Sequence, residues 1–191
     1  MLIEDLIKRI DSLPDSWVRM EQIRRIPSGL EICIAIHTGR RGRRLETWRI
    51  RSLGIREFQI CDMDGGGLAL YSSTHPAARQ YMARQVTLRW SGCDDSTAVF
   101  CALFQAHRDA VDDWIPVGRY LDIRAISEAK LLCRGPDFLM RAYAKALRLV
   151  GAQTHVTVRK NRKMKRIRSR VLHFGDSFIV AATFTVEGQP G

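Results

Sequence analysis

The chain has 191 residues, 46% of them apolar and 27% charged, with a formal net charge of +11. That is ordinary globular composition, which excludes collagen-like, disordered and disulfide-scaffold chains and leaves room for one mixed domain or two small lobes. The longest apolar run, Phe178 to Val186, is about half of the roughly 20 residues that span a bilayer, and Glu4 and Asp5 break the apolar N-terminus against a secretory signal; a cytoplasmic protein without membrane contact is expected.

Leu2, Ile3, Leu6, Ile7, Ile10 and Leu13 recur at helical spacing and predict an amphipathic first helix that Pro14 ends. The period then changes to two. Residues 17–26 read as a strand, and Leu30, Ile32, Ile34 and Ile36 alternate with Glu31, Cys33, Ala35 and His37 as a half-buried strand should. Further strands are expected at 45–53, 55–61 and 68–72, joined by short Gly-containing connections into an antiparallel meander. After a brief turn or helical stretch at His75-Pro76, residues 85–91 predict another strand. Asp94, Asp95 and Ser96 offer caps for a helix over 95–111.

A strand near 128–133 precedes the clearest helix, which Pro136 opens and Gly151 closes, with Phe138, Leu139, Ala142, Tyr143, Ala146, Leu147 and Val150 on one face. Three strands follow, at 153–159, 166–174 and 177–186, with Gly175-Asp176 as a two-residue hairpin loop. The expected fold is α+β: antiparallel β-meanders with helices packed on one side, as two similar-sized lobes or one mixed domain. As lobes, the chain divides into 1–112 (helix, meander, helix) and 113–191 (helix, then a three-stranded meander with a basic hairpin).

Arginine supplies 25 of the 31 basic residues, and their distribution is uneven. Arg40, Arg41, Arg43 and Arg44 lie in GRRGRR, and Arg159, Lys160, Arg162, Lys163, Lys165, Arg166, Arg168 and Arg170 lie in RKNRKMKRIRSR, with no acid in either segment. Without these twelve the rest of the chain carries −1. Like charges at that density repel, which is the pattern of a polyanion-binding surface before its ligand arrives. On a strand, Arg166, Arg168 and Arg170 share one face at roughly 6.6 Å spacing. His155, Thr157 and Arg159 are expected on the same outward face of a paired strand. Arg49 and Arg51 share a strand face with Arg43. A guanidinium fork suits phosphate, but phosphate contacts read no sequence. No aromatic residue lies inside either segment, so stacking on single-stranded bases is not indicated.

Signals for catalysis are sparse. The five cysteines form no C-x-x-C pair, so no structural zinc site is expected, and no cofactor is implied. Asp62-Met63-Asp64 at a strand end, Ser73-Thr74-His75, and Asp122 in YLDI loosely resemble the primase-polymerase superfamily; that resemblance implies a divalent metal on Asp62 and Asp64 and nucleotidyl transfer. It covers about eight residues, places its first two elements unusually close together, and has Gly65-Gly66-Gly67 after Asp64, which favours a Gly-rich hairpin whose aspartates bond their own backbone. His107, near Asp109, Asp112 and Asp113, reads as a core-edge histidine. The leading expectation is a non-catalytic protein that binds the backbone of DNA or RNA through its two basic hairpins, as a subunit of a larger assembly. The alternatives are an inhibitor or immunity-type module for an acidic protein, and the metal-dependent enzyme.

Overall fold

The computed structural model describes residues 1–39, 42–61, 63–122, 131–158 and 168–190. Helix α1 (Ile3–Asp11) forms because Ile3, Leu6 and Ile10 fall on one face and are buried, while the Asp5 carboxylate accepts the Leu2 N–H at 3.2 Å across the first turn. Strands β1 (Ser16–Ile26), β2 (Gly29–Thr38) and β3 (Arg43–Leu53) make the expected meander. Ile26 stands opposite Gly29 across the Pro27-Ser28 turn. Leu30, Ile32, Ile34 and Ile36 are buried on one face of β2, as their alternation predicts, and leave Glu31, Cys33, Ala35 and His37 on the other.

The meander stops at β3. Strand β4 (Glu57–Gln59) and strand β6 (Leu68–Tyr71) enter a second sheet, and the short β5 (Asp64–Gly65) pairs with β1. Helix α2 (Pro76–Met82) follows.

The chain then builds strand β7 (Gln85–Ser91), helix α3 (Ser96–Val111), strand β8 (Leu131–Pro136), helix α4 (Asp137–Leu149) and strand β9 (Gln153–Val158). Asp95 caps α3 by accepting the Ala98 N–H at 2.9 Å. At the end of α4, Gly151 takes φ +84° while the Ala152 N–H reaches the Leu147 carbonyl at 3.0 Å and the Gly151 N–H reaches Arg148 at 3.1 Å, a Schellman stop. Strands β8 and β9 both run antiparallel to β7, which lies between them, so β8, α4 and β9 form a split β-α-β unit. Val86, Leu88 and Trp90 face the helices and pack with Val99, Leu103, Leu139, Tyr143 and Leu147.

Strands β10 (Arg170–Phe174), β11 (Ser177–Ala181) and β12 (Thr183–Pro190) complete the sheets begun by the first half. The sheet orders are β12-β3-β2-β1-β5, β4-β11-β10-β6 and β8-β7-β9. Leu68, Leu172, Phe174 and Ile179 share a single apolar core with Val18, Ile32, Ile34, Ile50 and the buried face of α1. The architecture is α+β with three antiparallel sheets.

The expected C-terminal three-stranded meander does not form, because β9 pairs with β7 while β10 pairs with β11 and β6. The physical reason is burial on both faces: Val171 and Leu172 are buried, as are Ile179 and Val180, so β10 and β11 need apolar cover on two sides. The compact units are accordingly Met1–Ala78 with Ile167–Gly191, and Arg79–Arg166, in place of a division at residue 112. Among the described residues no helix is long and apolar enough to cross a membrane.

Candidate nucleic-acid interface

Of the twelve basic residues that the sequence singles out, Arg40, Arg41, Arg159, Lys160, Arg162, Lys163, Lys165 and Arg166 lie outside the described residues. Arg43 and Arg44 begin β3, Arg168 precedes β10, and Arg170 opens it. Arg43 and Arg168 are exposed. Arg44 donates to the Glu21 carboxylate at 3.0 Å and, through Nε, to Thr47 Oγ1 at 3.1 Å. Arg170 is half-buried and donates to Glu4 in the first turn of α1. Two of the four described guanidiniums are therefore tied to the chain's own carboxylates.

The alternation expected around Arg170 holds where it is described: Ser169 and Val171 are buried while Arg168 is exposed. The partner strand is different. His155 and Thr157 do point to an open face, but that face belongs to β7, β8 and β9 and not to the sheet of Arg170.

That open face belongs to the unit Arg79–Arg166. Opposite the helices, β7 presents Gln85, Thr87, Arg89 and Ser91, β8 presents Arg134, and β9 presents Gln153, His155 and Thr157. Arg134, Thr87 and Thr157 stand in one row across the three strands, and Arg89 stands beside His155. None of these eight residues is acidic, and no carboxylate pairs with the exposed Arg89 or Arg134 among the described residues. Of the described acids of this unit, Asp94 and Asp95 stand before α3, Asp109 within it, Asp112 and Asp113 after it, Asp122 further along the chain, and Asp137 at the start of α4, where Arg141 holds it at 2.8 Å. Residues 79–166 hold seventeen basic and eight acidic residues, a net +9 of the chain's +11. Strand β9 leads directly into the basic segment that starts at Arg159.

A second arginine group occupies the open face of the five-stranded sheet. Cross-strand register places Arg24 of β1 and Arg51 of β3 on either side of Glu31 of β2. Arg24 Nε donates to Glu31 Oε1 at 2.7 Å, Arg51 Nε donates to Oε2 at 2.8 Å, and Arg49 Nε lies 3.5 Å from Oε1. These neighbours, Arg51 foremost, hold the Glu31 carboxyl below its usual range against the opposing effect of burial. Arg51 also reaches Glu187 of β12 at 2.7 Å. On the same face Trp17 stacks on His37 at 4.4 Å between ring centroids. The His37 Nδ1–H donates to the Gly42 carbonyl at 2.9 Å, which ties this aromatic pair to the residue just before β3.

Asp62 lies outside the described residues, Asp64 opens β5 beside Arg19 of β1, and Asp122 is exposed. Among the described residues no group of three or more His, Cys, Asp and Glu side chains could hold a metal ion. His107 is fully buried rather than at the core edge, bonded to Tyr143 and to the Ile115 carbonyl. Comparison with protein-family models, with curated proteins and with solved structures finds no match.

Proposed function

We propose that the chain binds the phosphate backbone of nucleic acid without acting on it chemically, through the basic segments 39–44 and 159–170, as a component of a larger assembly. The observation that carries this reading is the acid-free sheet face of Gln85, Thr87, Arg89, Ser91, Arg134, Gln153, His155 and Thr157, whose edge strand runs straight into the basic segment. A sheet face on which these side chains carry no acid presents cations and hydroxyl donors to an anion. The absence of Phe, Tyr and Trp among these eight residues favours backbone contact over base stacking.

The test is a filter-binding salt titration with duplex and single-stranded DNA and RNA. Affinity should fall steeply with salt, with a log-log slope of about −0.9 per phosphate contacted on duplex DNA. Replacing Lys160, Lys163 and Lys165 with Ala, which spares the Arg170–Glu4 pair, should flatten that slope by at most about three units. An unchanged slope removes the second segment from the interface. Absence of binding to any polynucleotide, with retention of an acidic protein instead, would replace this reading by the inhibitor or immunity-type module.

A further inference from the structure

We infer that Arg24, Arg49 and Arg51, gathered on Glu31 at the open face of the five-stranded sheet, form a phosphate-binding site for a nucleic-acid backbone. The inference rests on the nucleic-acid reading above and adds a contact surface that belongs to neither basic segment. The Glu31 side chain is only 6% exposed, whereas those of Arg24, Arg49 and Arg51 are 57%, 48% and 37% exposed. The carboxylate therefore lies beneath and the guanidiniums lie above it, facing solvent.

A buried carboxylate needs one well-placed cation to offset its desolvation. Here three converge on it, and cations brought together in this way repel one another. Glu187 reaches Arg51, so the group still carries one uncompensated positive charge. The excess sits on Arg49: at 3.5 Å its contact with Glu31 is an ion pair beyond hydrogen-bond length, which leaves its planar fork uncommitted. Glu31 meanwhile fixes Arg24 and Arg51 through Nε, restraining both side chains before any ligand arrives. Two anchored guanidiniums and one uncommitted fork over a single buried anion suit a phosphate, which accepts several charge-assisted hydrogen bonds at once.

Two variants separate this positioned site from a merely basic surface. Glu31→Gln raises the net charge of the chain by one, so a surface acting through bulk charge would bind a polynucleotide more tightly. The positioned site binds it more weakly, because Arg24 and Arg51 lose their anchor. Arg49→Lys keeps the charge and removes the fork, and its exposed side chain makes it the variant to rely on should Glu31→Gln fail to fold. With a 20-nucleotide duplex and its single strand as probes, Arg49→Ala should weaken binding roughly tenfold and flatten the salt slope by about one unit. Arg49→Lys should recover only part of that affinity. The control is Arg108→Ala on α3, which removes the same charge from the helical side of the other unit.

If wild type binds and the Arg49 variants match Arg108→Ala in both affinity and slope, the site is refuted and the wider reading stands. If wild type binds no polynucleotide, both fall. Displacement of the oligonucleotide by millimolar inorganic phosphate from wild type, and equally from Arg49→Ala, would also refute it.

Discussion

Tyr143 and His107 share a 2.6 Å hydrogen bond in the interior of the unit Arg79–Arg166, and the other ring nitrogen of His107 lies 2.6 Å from the Ile115 carbonyl. A carbonyl only accepts, so Nε2 carries the proton, Nδ1 accepts, and the Tyr143 hydroxyl is the donor. Burial raises the Tyr143 pKa, which keeps that proton in place. Tyr143→Phe leaves Nδ1 buried without a partner and should cost about 1–3 kcal/mol. Urea denaturation of the two proteins measures this. A tautomer shift cannot rescue the variant, because it would orphan the Ile115 carbonyl.

Gly29 is fixed by close approach rather than by its backbone angles. A Cβ there would sit 1.9 Å from the Ser52 carbonyl oxygen on β3, a backbone atom that cannot move without parting the two strands. Gly29→Ala should cost at least about 1–3 kcal/mol, the range of an overpacked core, and should lower the thermal midpoint. A variant as stable as wild type would mean that β2 and β3 separate there at little cost.

Stability should fall in two steps on acidification. Burial holds the His75 and His173 imidazoles below their usual value of about 6.5, and their mutual repulsion lowers His75 further. As pH drops through that value the unfolded chain takes up protons that the folded chain refuses, so stability declines. Glu4, Glu31 and Glu46 are held below the usual carboxylate value of about 4.3, and their contribution, present above it, is lost as pH falls further. Denaturation midpoints at pH 8, 6.5, 5 and 3.5 should decline throughout, and replacing both histidines with Gln should flatten the first step alone.

The thiols should separate by accessibility. Cys61 and Cys101 are exposed, while Cys133 is buried and its thiol is pushed up to about 12 by burial. A maleimide at neutral pH should label Cys61 and Cys101 first and reach Cys133 only in denaturant, as read by peptide mass spectrometry. Equal labelling of Cys133 and Cys101 in the native protein would contradict the packing of β8.

Local signals carried far into the structure. The apolar alternation of β2, the Asp95 cap of α3, the Gly151 stop of α4 and the Gly175-Asp176 turn are all set by residues within a few positions of one another. Strand partners are not local. A strand of alternating pattern fits any neighbour of the same pattern, and chain adjacency suggests β9 beside β10, a preference the structure overrides.

The same division runs through the candidate site. The basic segments are visible as composition, but the tie of Arg170 to Glu4 spans 166 positions, and a bulge between Met20 and Gln22 shifts the register that carries Glu21 toward Arg44. The opposition of Arg24 and Glu31 was within reach: once the two-residue turn at Pro27-Ser28 is placed, antiparallel register dictates it.

The pairing of Thr183–Pro190 with β3 also orders events in time. During synthesis the strands β1 to β3 emerge long before the partner that completes their sheet, while residues 79–166 are all present before β10 is made. The inserted unit can thus collapse on the ribosome while its host still has an open sheet edge, and closing that edge over so long an intervening stretch is the slow, aggregation-exposed event of folding.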